Sequence, residues 1–225
     1  MQTEIMYRPS YSIAQVTLGP NESLQVEAGS MVSMSGGVTM ETKAQGGILK
    51  SLGRAILGQE SFFINTFQAD GDGGAIMVAP PLPGDLHVIT IGGTPLMVQS
   101  GSYVASEAGV EVDTKFSGAK TFFASEGLFM LRAAGAGQLI VSSFGAIHTV
   151  ELAAGQKYTI DTGHIVAFTE GMGFNVRTVG GIKSTLFSGE GLVVDLTGPG
   201  HLLMQTRSQD AFLRWLLPHI PSSSD

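Results

Sequence analysis

The chain has 225 residues, 12 basic against 19 acidic side chains for a formal charge of −7, 31 glycines and no cysteine. The negative balance argues against broad binding of nucleic acid or anionic membrane, which needs a positive surface to release counterions. Missing thiols exclude disulfides and thiolate metal sites, and 14% charged residues suit short strands and tight turns better than long, salt-bridged helices. No apolar run approaches the roughly 18 residues of a transmembrane helix. The opening MQTEIMYRPS has neither the basic nor the apolar region of a signal peptide, so a cytoplasmic protein is expected.

Tyr11 to Leu18 alternates as a strand, and Gly19-Pro20-Asn21 turns it. Leu24, Val26 and Ala28 then point one way before a bend at Gly29-Ser30. Val32 and Met34 resume, Gly36-Gly37 turns again, and Val38, Met40 and Thr42 form the next strand. Period-two alternation broken by glycine every eight or so residues predicts short antiparallel strands with one buried face. Ala79 to Asp85, with three prolines, is a strand-incompatible corner leading into a strand over Leu86 to Ile91.

The segment LQVEAGSMVSMSGGVTM from Leu24 returns as LMVQSGSYVASEAGVEV from Leu96 and YTIDTGHIVAFTEGMGF from Tyr158. Gly29, Gly101 and Gly163 share a column, as do Val32, Val104 and Val166. Downstream of each copy a glutamate (Glu60, Glu126, Glu190) precedes an apolar strand, a Gly-x-Gly turn and a second apolar strand. Such a turn signals a hairpin. The sequence therefore predicts an all-β fold of three tandem antiparallel, sandwich-like repeats over residues 11–91, 92–154 and 155–207. They are expected to form one compact, pseudo-threefold body in which each repeat covers its neighbour's open edge. The first repeat carries an insertion over residues 44–58. There Ile48, Leu49, Leu52, Ile56 and Leu57 fall near helical spacing, with Lys50 and Arg54 opposite. At the tail, Ser208 is an N-cap for a helix over residues 208–219 whose face carries Phe212, Trp215 and Leu216 and which Pro218 ends. A helix so short and apolar must dock on something.

The triplicated G-[SH]-x-V core, the stretch GGILKSLGRAILGQESFF, the Gly-x-Gly turns and the terminal LRWLLP together resemble one family. It is the largely bacterial family related to the mitochondrial-biogenesis protein called altered inheritance of mitochondria protein twenty-four, and the resemblance runs from Tyr11 to Pro218. It implies an all-β fold like that of the tryptophan RNA-binding attenuation protein, repeated along one chain, and it brings no catalytic residues. Eukaryotic relatives are linked to organisation of the inner mitochondrial membrane, a role that does not transfer to a chain without a presequence. Nor does a fold's likeness confer RNA binding on an acidic chain lacking a basic and aromatic cluster.

Chemistry is thinly signalled. The five histidines (His87, His148, His164, His201, His219) share no helical spacing, so structural or surface roles are expected rather than metal ligation. Asp70-Gly-Asp72 lacks the further ligands of a calcium loop and reads as a hairpin tip. Glu60, Glu126 and Glu190 either converge on a pseudo-threefold axis, where they could hold a hard cation, or solvate three strand starts, the reading favoured for acceptors in glycine-rich turns. No catalytic residue or cofactor is assigned. The expected function is a non-enzymatic scaffold or interaction protein acting as a homo-oligomer, with peripheral membrane contact through the insertion and without nucleic acid. The contact surfaces expected are that insertion and the Trp215 helix. A small-ligand module with an inter-repeat crevice and an enzyme using the repeated carboxylates are the alternatives.

Overall fold

The computed structural model describes residues 1–41, 63–113, 129–178 and 192–221. The glutamates at 60, 126 and 190 and the apolar insertion at 44–58 lie outside them. The first third of the chain forms β1 (Gln2–Met6), β2 (Ile13–Leu18), β3 (Ser23–Glu27), β4 (Met31–Met34), β5 (Val38–Glu41), β6 (Ile64–Ala69) and β7 (Gly74–Val78). The second forms β8 (Leu86–Gly92), β9 (Leu96–Gln99), β10 (Tyr103–Glu107), β11 (Val110–Asp113) and the long β12 (Met130–Ser142). The last forms β13 (Ile147–Leu152), β14 (Lys157–Asp161), β15 (Ile165–Thr169), β16 (Gly173–Thr178), β17 (Leu192–Thr197) and β18 (Gly200–Gln205). The helix α1 (Gln209–Leu216) and a 3-10 turn over Leu217–His219 follow.

These three sets of strands share one pairing scheme. In the first unit β7 pairs with β2 and β4, while β6 pairs with β3 and β5. In the third, β18 pairs with β13 and β15, while β17 pairs with β14 and β16. In the second, β12 does both jobs. Its N-terminal part pairs with β9 and β11 and its C-terminal part with β8 and β10. Even the register irregularity recurs, at Val32 between Met31 and Ser33, at Val104 between Tyr103 and Ala105, and at Val166 between Ile165 and Ala167.

The Gly-x-Gly segments are therefore corners and not hairpins, because the strands on either side of each belong to different halves of a sandwich. The strands that pair antiparallel with their immediate successor are β1 with β2, β5 with β6, β11 with β12 and β16 with β17, none of them across a Gly-x-Gly segment. A corner of this kind needs a backbone that bends without a Cβ. In β12 it is made by Gly135 (φ +102°) and Gly137 (φ +140°) inside a strand that never breaks. A Cβ on Gly135 would strike the carbonyl oxygen of Gly109, where Ala136 N–H donates its bond (3.0 Å).

Units join by edge pairing. The strand β10 adds to β3, with Ala105 opposite Val26, Ser106 opposite Gln25 and Glu107 opposite Leu24. At the next seam β15 adds to β9, with Ala167, Phe168 and Thr169 opposite Val98, Met97 and Leu96. The cores cross the seams too. Val104 and Ala105 lie in the cluster built by Leu24, Val26, Phe67 and Ile76 of the first unit. Val166 and Ala167 lie in the second unit's cluster with Val98 and Leu131. Complete burial of such a side chain contributes about 1.5–3 kcal/mol.

One expectation fails here. The strands at the two ends do not close on each other. Among the described residues β4 pairs only with β7, and β14 only with β17. Among the described residues each of these two strands therefore keeps one edge without a strand partner, so the edge pairing seen at the two internal seams is not repeated a third time.

The connections between units run along one rim. Ser12 N–H donates to Gly84 O (3.0 Å), Asp85 N–H to Gly145 O (2.9 Å), Gly145 N–H to Pro83 O (3.1 Å) and Ser143 N–H to Asp85 O (3.0 Å). A Cβ on Gly84 would drive into the carbonyl oxygen of Ser143, whereas one on Gly92 meets nothing within 4 Å. Gly84→Ala should therefore lower the unfolding free energy in urea by about 1–3 kcal/mol, while Gly92→Ala leaves it within about 0.5 kcal/mol. Equal losses at the two positions would mean that the rim is not close-packed.

Candidate interaction surface

Of the residues nominated from sequence, the structure describes Phe212, Trp215 and Leu216. Ser208 caps α1 as expected, its hydroxyl accepting from Ala211 N–H (3.4 Å). None of the helix's residues is buried. Phe212 meets Phe144 edge to face at 5.5 Å, and beyond it Trp215 and Leu217 are 60% and 61% exposed. Phe212 and Leu213, 37% and 39% exposed, are partly covered, whereas Trp215 and Leu217 are mostly in water. The docking that the helix's composition demands is incomplete.

Polar side chains are engaged in holding strands and rim. Arg8 forms a two-pronged ion pair with Asp85 (2.8 Å for each bond), and Ser12 Oγ donates to the same carboxylate (3.1 Å). Burial alone would raise the Asp85 pKa, but these donors and Leu86 N–H bring it below its ordinary value. Gln205 accepts from Phe144 N–H and donates to Gly163 O (2.8 Å each), while His164 Nδ1 lies 2.7 Å from Gln205 O. The Asp70 carboxylate accepts from Asp72 N–H (2.9 Å), which makes that loop a self-bonded turn. Among the described residues no three of His, Asp and Glu gather as a metal site would require.

What sequence reasoning missed is the bare edge. The column Val32, Val104, Val166 is chemically uniform, yet its burial is not. Val104 and Val166 are fully buried and Val32 is 55% exposed. The next columns behave alike. Tyr103 and Ile165 are buried where Met31 is exposed, and Ser106 and Phe168 are buried where Met34 is exposed. The signal was available, since a row of tandem units that does not close must leave its first and last edges open. Nothing on β4, MVSM, protects it. It carries no charge and no proline, the usual means of blunting an edge. At the other end β14, KYTID, presents Thr159 and half-buried Tyr158 beside buried Ile160. Thr159 Oγ1 donates to Asp195 (2.7 Å), and Arg177 closes a two-pronged pair on the same carboxylate (2.6 and 3.1 Å). Those donors, Arg177 first, hold Asp195 down to about 2.

Comparison with known proteins agrees with this architecture. Residues 3–207 match the family described as Mitochondrial biogenesis AIM24. The chain belongs to that family. It is 27% identical over 223 residues to the uncharacterized protein M6_Spy0233 of Streptococcus pyogenes serotype M6, across 96% of this chain and 89% of that one. The crystal structure of protein SPYM3_0169 from Streptococcus pyogenes superposes with a TM-score of 0.82 at 25% identity, covering 97% of this chain and 99% of that chain. Among the described residues no helix is long and apolar enough to cross a membrane.

One titratable group in this family member stands beside a seam. Glu27 ends β3, and burial raises its carboxyl from 4.5 to about 7, against the opposing effect of Ser30. Ser30 Oγ donates to it at 3.3 Å. Gln99 holds the same place in the second unit and accepts from Ser102 in the same way (3.1 Å), so an amide fits this position. A carboxyl whose pKa rises on folding binds more protons in the native state. Its contribution is then fully present below about 4.5 and is lost as pH rises through about 7. Glu27→Gln should match the wild type in thermal midpoint at pH 4 and exceed it by at least about 2 °C at pH 8. A constant difference across that window would show that Glu27 titrates normally.

Proposed function

We propose that this protein is a non-enzymatic scaffold whose copies join head to tail, β4 of one copy pairing with β14 of the next. The carrying observation is the contrast within the Val32, Val104, Val166 column. The same residue in the same irregularity of the same strand is buried wherever a neighbouring unit is present and exposed only where none is.

The two internal seams set the register. Ser33 takes the place of Ala105 and Ala167, and Ile160 that of Val26 and Val98, so Ser33 faces Ile160 and Met34 faces Thr159. Val32 then enters the third unit's core beside Ile160 and Val194, as Val104 and Val166 enter the cores before theirs. Such a contact is heterologous, giving a ring where the rotation closes and a filament where it does not. A scaffold rather than an enzyme suits a fold whose polar groups are engaged in its own architecture. Among the described residues every buried side-chain nitrogen and oxygen has a hydrogen-bond partner. A cytoplasmic, reducing setting suits a chain without cysteine.

Light scattering after size exclusion at micromolar concentration tests the seam. The wild type should run as a multiple of 23.5 kDa. Val32→Asp should run as a single chain with an unchanged far-ultraviolet spectrum, because that side chain is exposed in the isolated molecule and a buried carboxylate is excluded from the joined one. A wild type that remains a single chain throughout would remove the proposal.

A further inference from the structure

We propose that α1 is a clasp between copies, its apolar face closing over the Tyr7–Tyr11 loop of the next copy in the row. This inference rests on the head-to-tail seam and names a second contact that the seam brings together.

The rim supplies the argument. Each unit begins with a segment hydrogen-bonded to the beginning of the unit before it. Asp85 and Pro83 bond Gly145 at the start of the third unit, and Ser12 at the start of the first bonds Gly84 at the start of the second. The chain's end lies on the third of these segments, with Thr206 N–H donating to Ala146 O (3.1 Å) and Arg207 N–H to Phe144 O (3.2 Å). That is where α1 sits, with Phe212 against Phe144. Extending the row by one unit puts the beginning of the next copy, residues 7–12, beside residues 144–146. It therefore lies beside α1.

Both surfaces are poorly matched to water and well matched to each other. Tyr7 and Tyr11 are 74% and 76% exposed, Trp215 of α1 60% and Leu217 of the turn after it 61%. The tyrosine loop is held in place before any contact forms, since Arg8 between the two rings is fixed by Asp85 and Ser12 N–H by Gly84. Aromatic residues presented on a fixed loop associate at low entropic cost. Inside one chain the joints between units are covalent, through residues 79–85 and 143–146. Between copies no peptide bond spans the joint, and α1 supplies a non-covalent substitute at the same rim.

Trp215 is the sole tryptophan of the chain, so its emission reads the contact directly. Fluorescence and light scattering would be followed together on dilution of the wild type, Val32→Asp, and the double variant Tyr7→Ser/Tyr11→Ser. The assembled wild type should emit to the blue of Val32→Asp and shift red as its mass falls. The double variant, altered only at exposed rings, should require at least about tenfold higher concentration to assemble and should keep the red-shifted emission. A multimeric wild type emitting like Val32→Asp would overturn the clasp and leave the seam standing. So would a double variant that assembles and emits like the wild type. A wild type that never exceeds one chain would overturn both.

Discussion

Antiparallel pairing of one unit's edge strand with the next unit's edge is the interaction on which this architecture depends. Each seam contains only three residue pairs in register, and a net backbone hydrogen bond contributes about 0.5–1.5 kcal/mol. Pairing alone therefore holds the units weakly. Its larger effect is to fix register, and register decides where side chains go. With Ala105 opposite Val26, the irregularity beside it sends Val104 into the first unit's core. A slip of one residue would turn that side chain to the opposite face. The seam is strong because the hydrogen bonds aim the hydrophobic burial.

Much of the strand pattern was legible. Alternation marked β2, β3 and β8 close to their observed limits, and Ser208 marked the helix start. The glycine columns located the bends but did not reveal what they connect. A Gly-x-Gly turn between two apolar runs reads locally as a hairpin, and β6 and β7 fit that reading by every local criterion. Which partner each strand takes is decided by β3 and β5 on one side and β2 and β4 on the other, none of them adjacent in sequence to the turn. Non-local pairing also explains why β1 was missed. QTEIM has little apolar content of its own and is ordered by lying against β2, with the amino terminus paired to Glu22 at 3.0 Å.

The candidate site was less legible, for a related reason. Repetition makes equivalent positions look equivalent, whereas their environments depend on place in the row. Met31, Tyr103 and Ile165 occupy one column, yet only the first faces solvent. Tyr103 makes the cost of a buried position visible. Its hydroxyl is satisfied by Ser106 (2.9 Å) and by Gln25 O across the seam (3.4 Å), and burial pushes its ionisation far above the ordinary phenol range. Methionine at the end position needs no such partners, so it tolerates both exposure and burial. The helix teaches the same lesson. Its composition demanded a docking partner, yet with Phe212 against Phe144 the ring of Trp215 stays 60% exposed.

Open ends also constrain how copies can meet. If β4 paired with its own copy about a twofold axis, one contact would satisfy two edges and leave two β14 edges bare. Pairing β14 with its copy would strand β4 in the same way. Head-to-tail contact uses one edge of each kind, so every joint added covers two unlike edges and the ends stay constant in number. A closed head-to-tail ring would leave no β4 or β14 edge unpaired, and it does so with a single kind of contact. The unlike chemistry of the ends fits that choice. The strand β4 is neutral and apolar at Val32, whereas β14 places Ile160 beneath a polar surface carrying Lys157 and Asp161. In the proposed row of chains, the pairing of β4 with β14 would be the same seam used a third time.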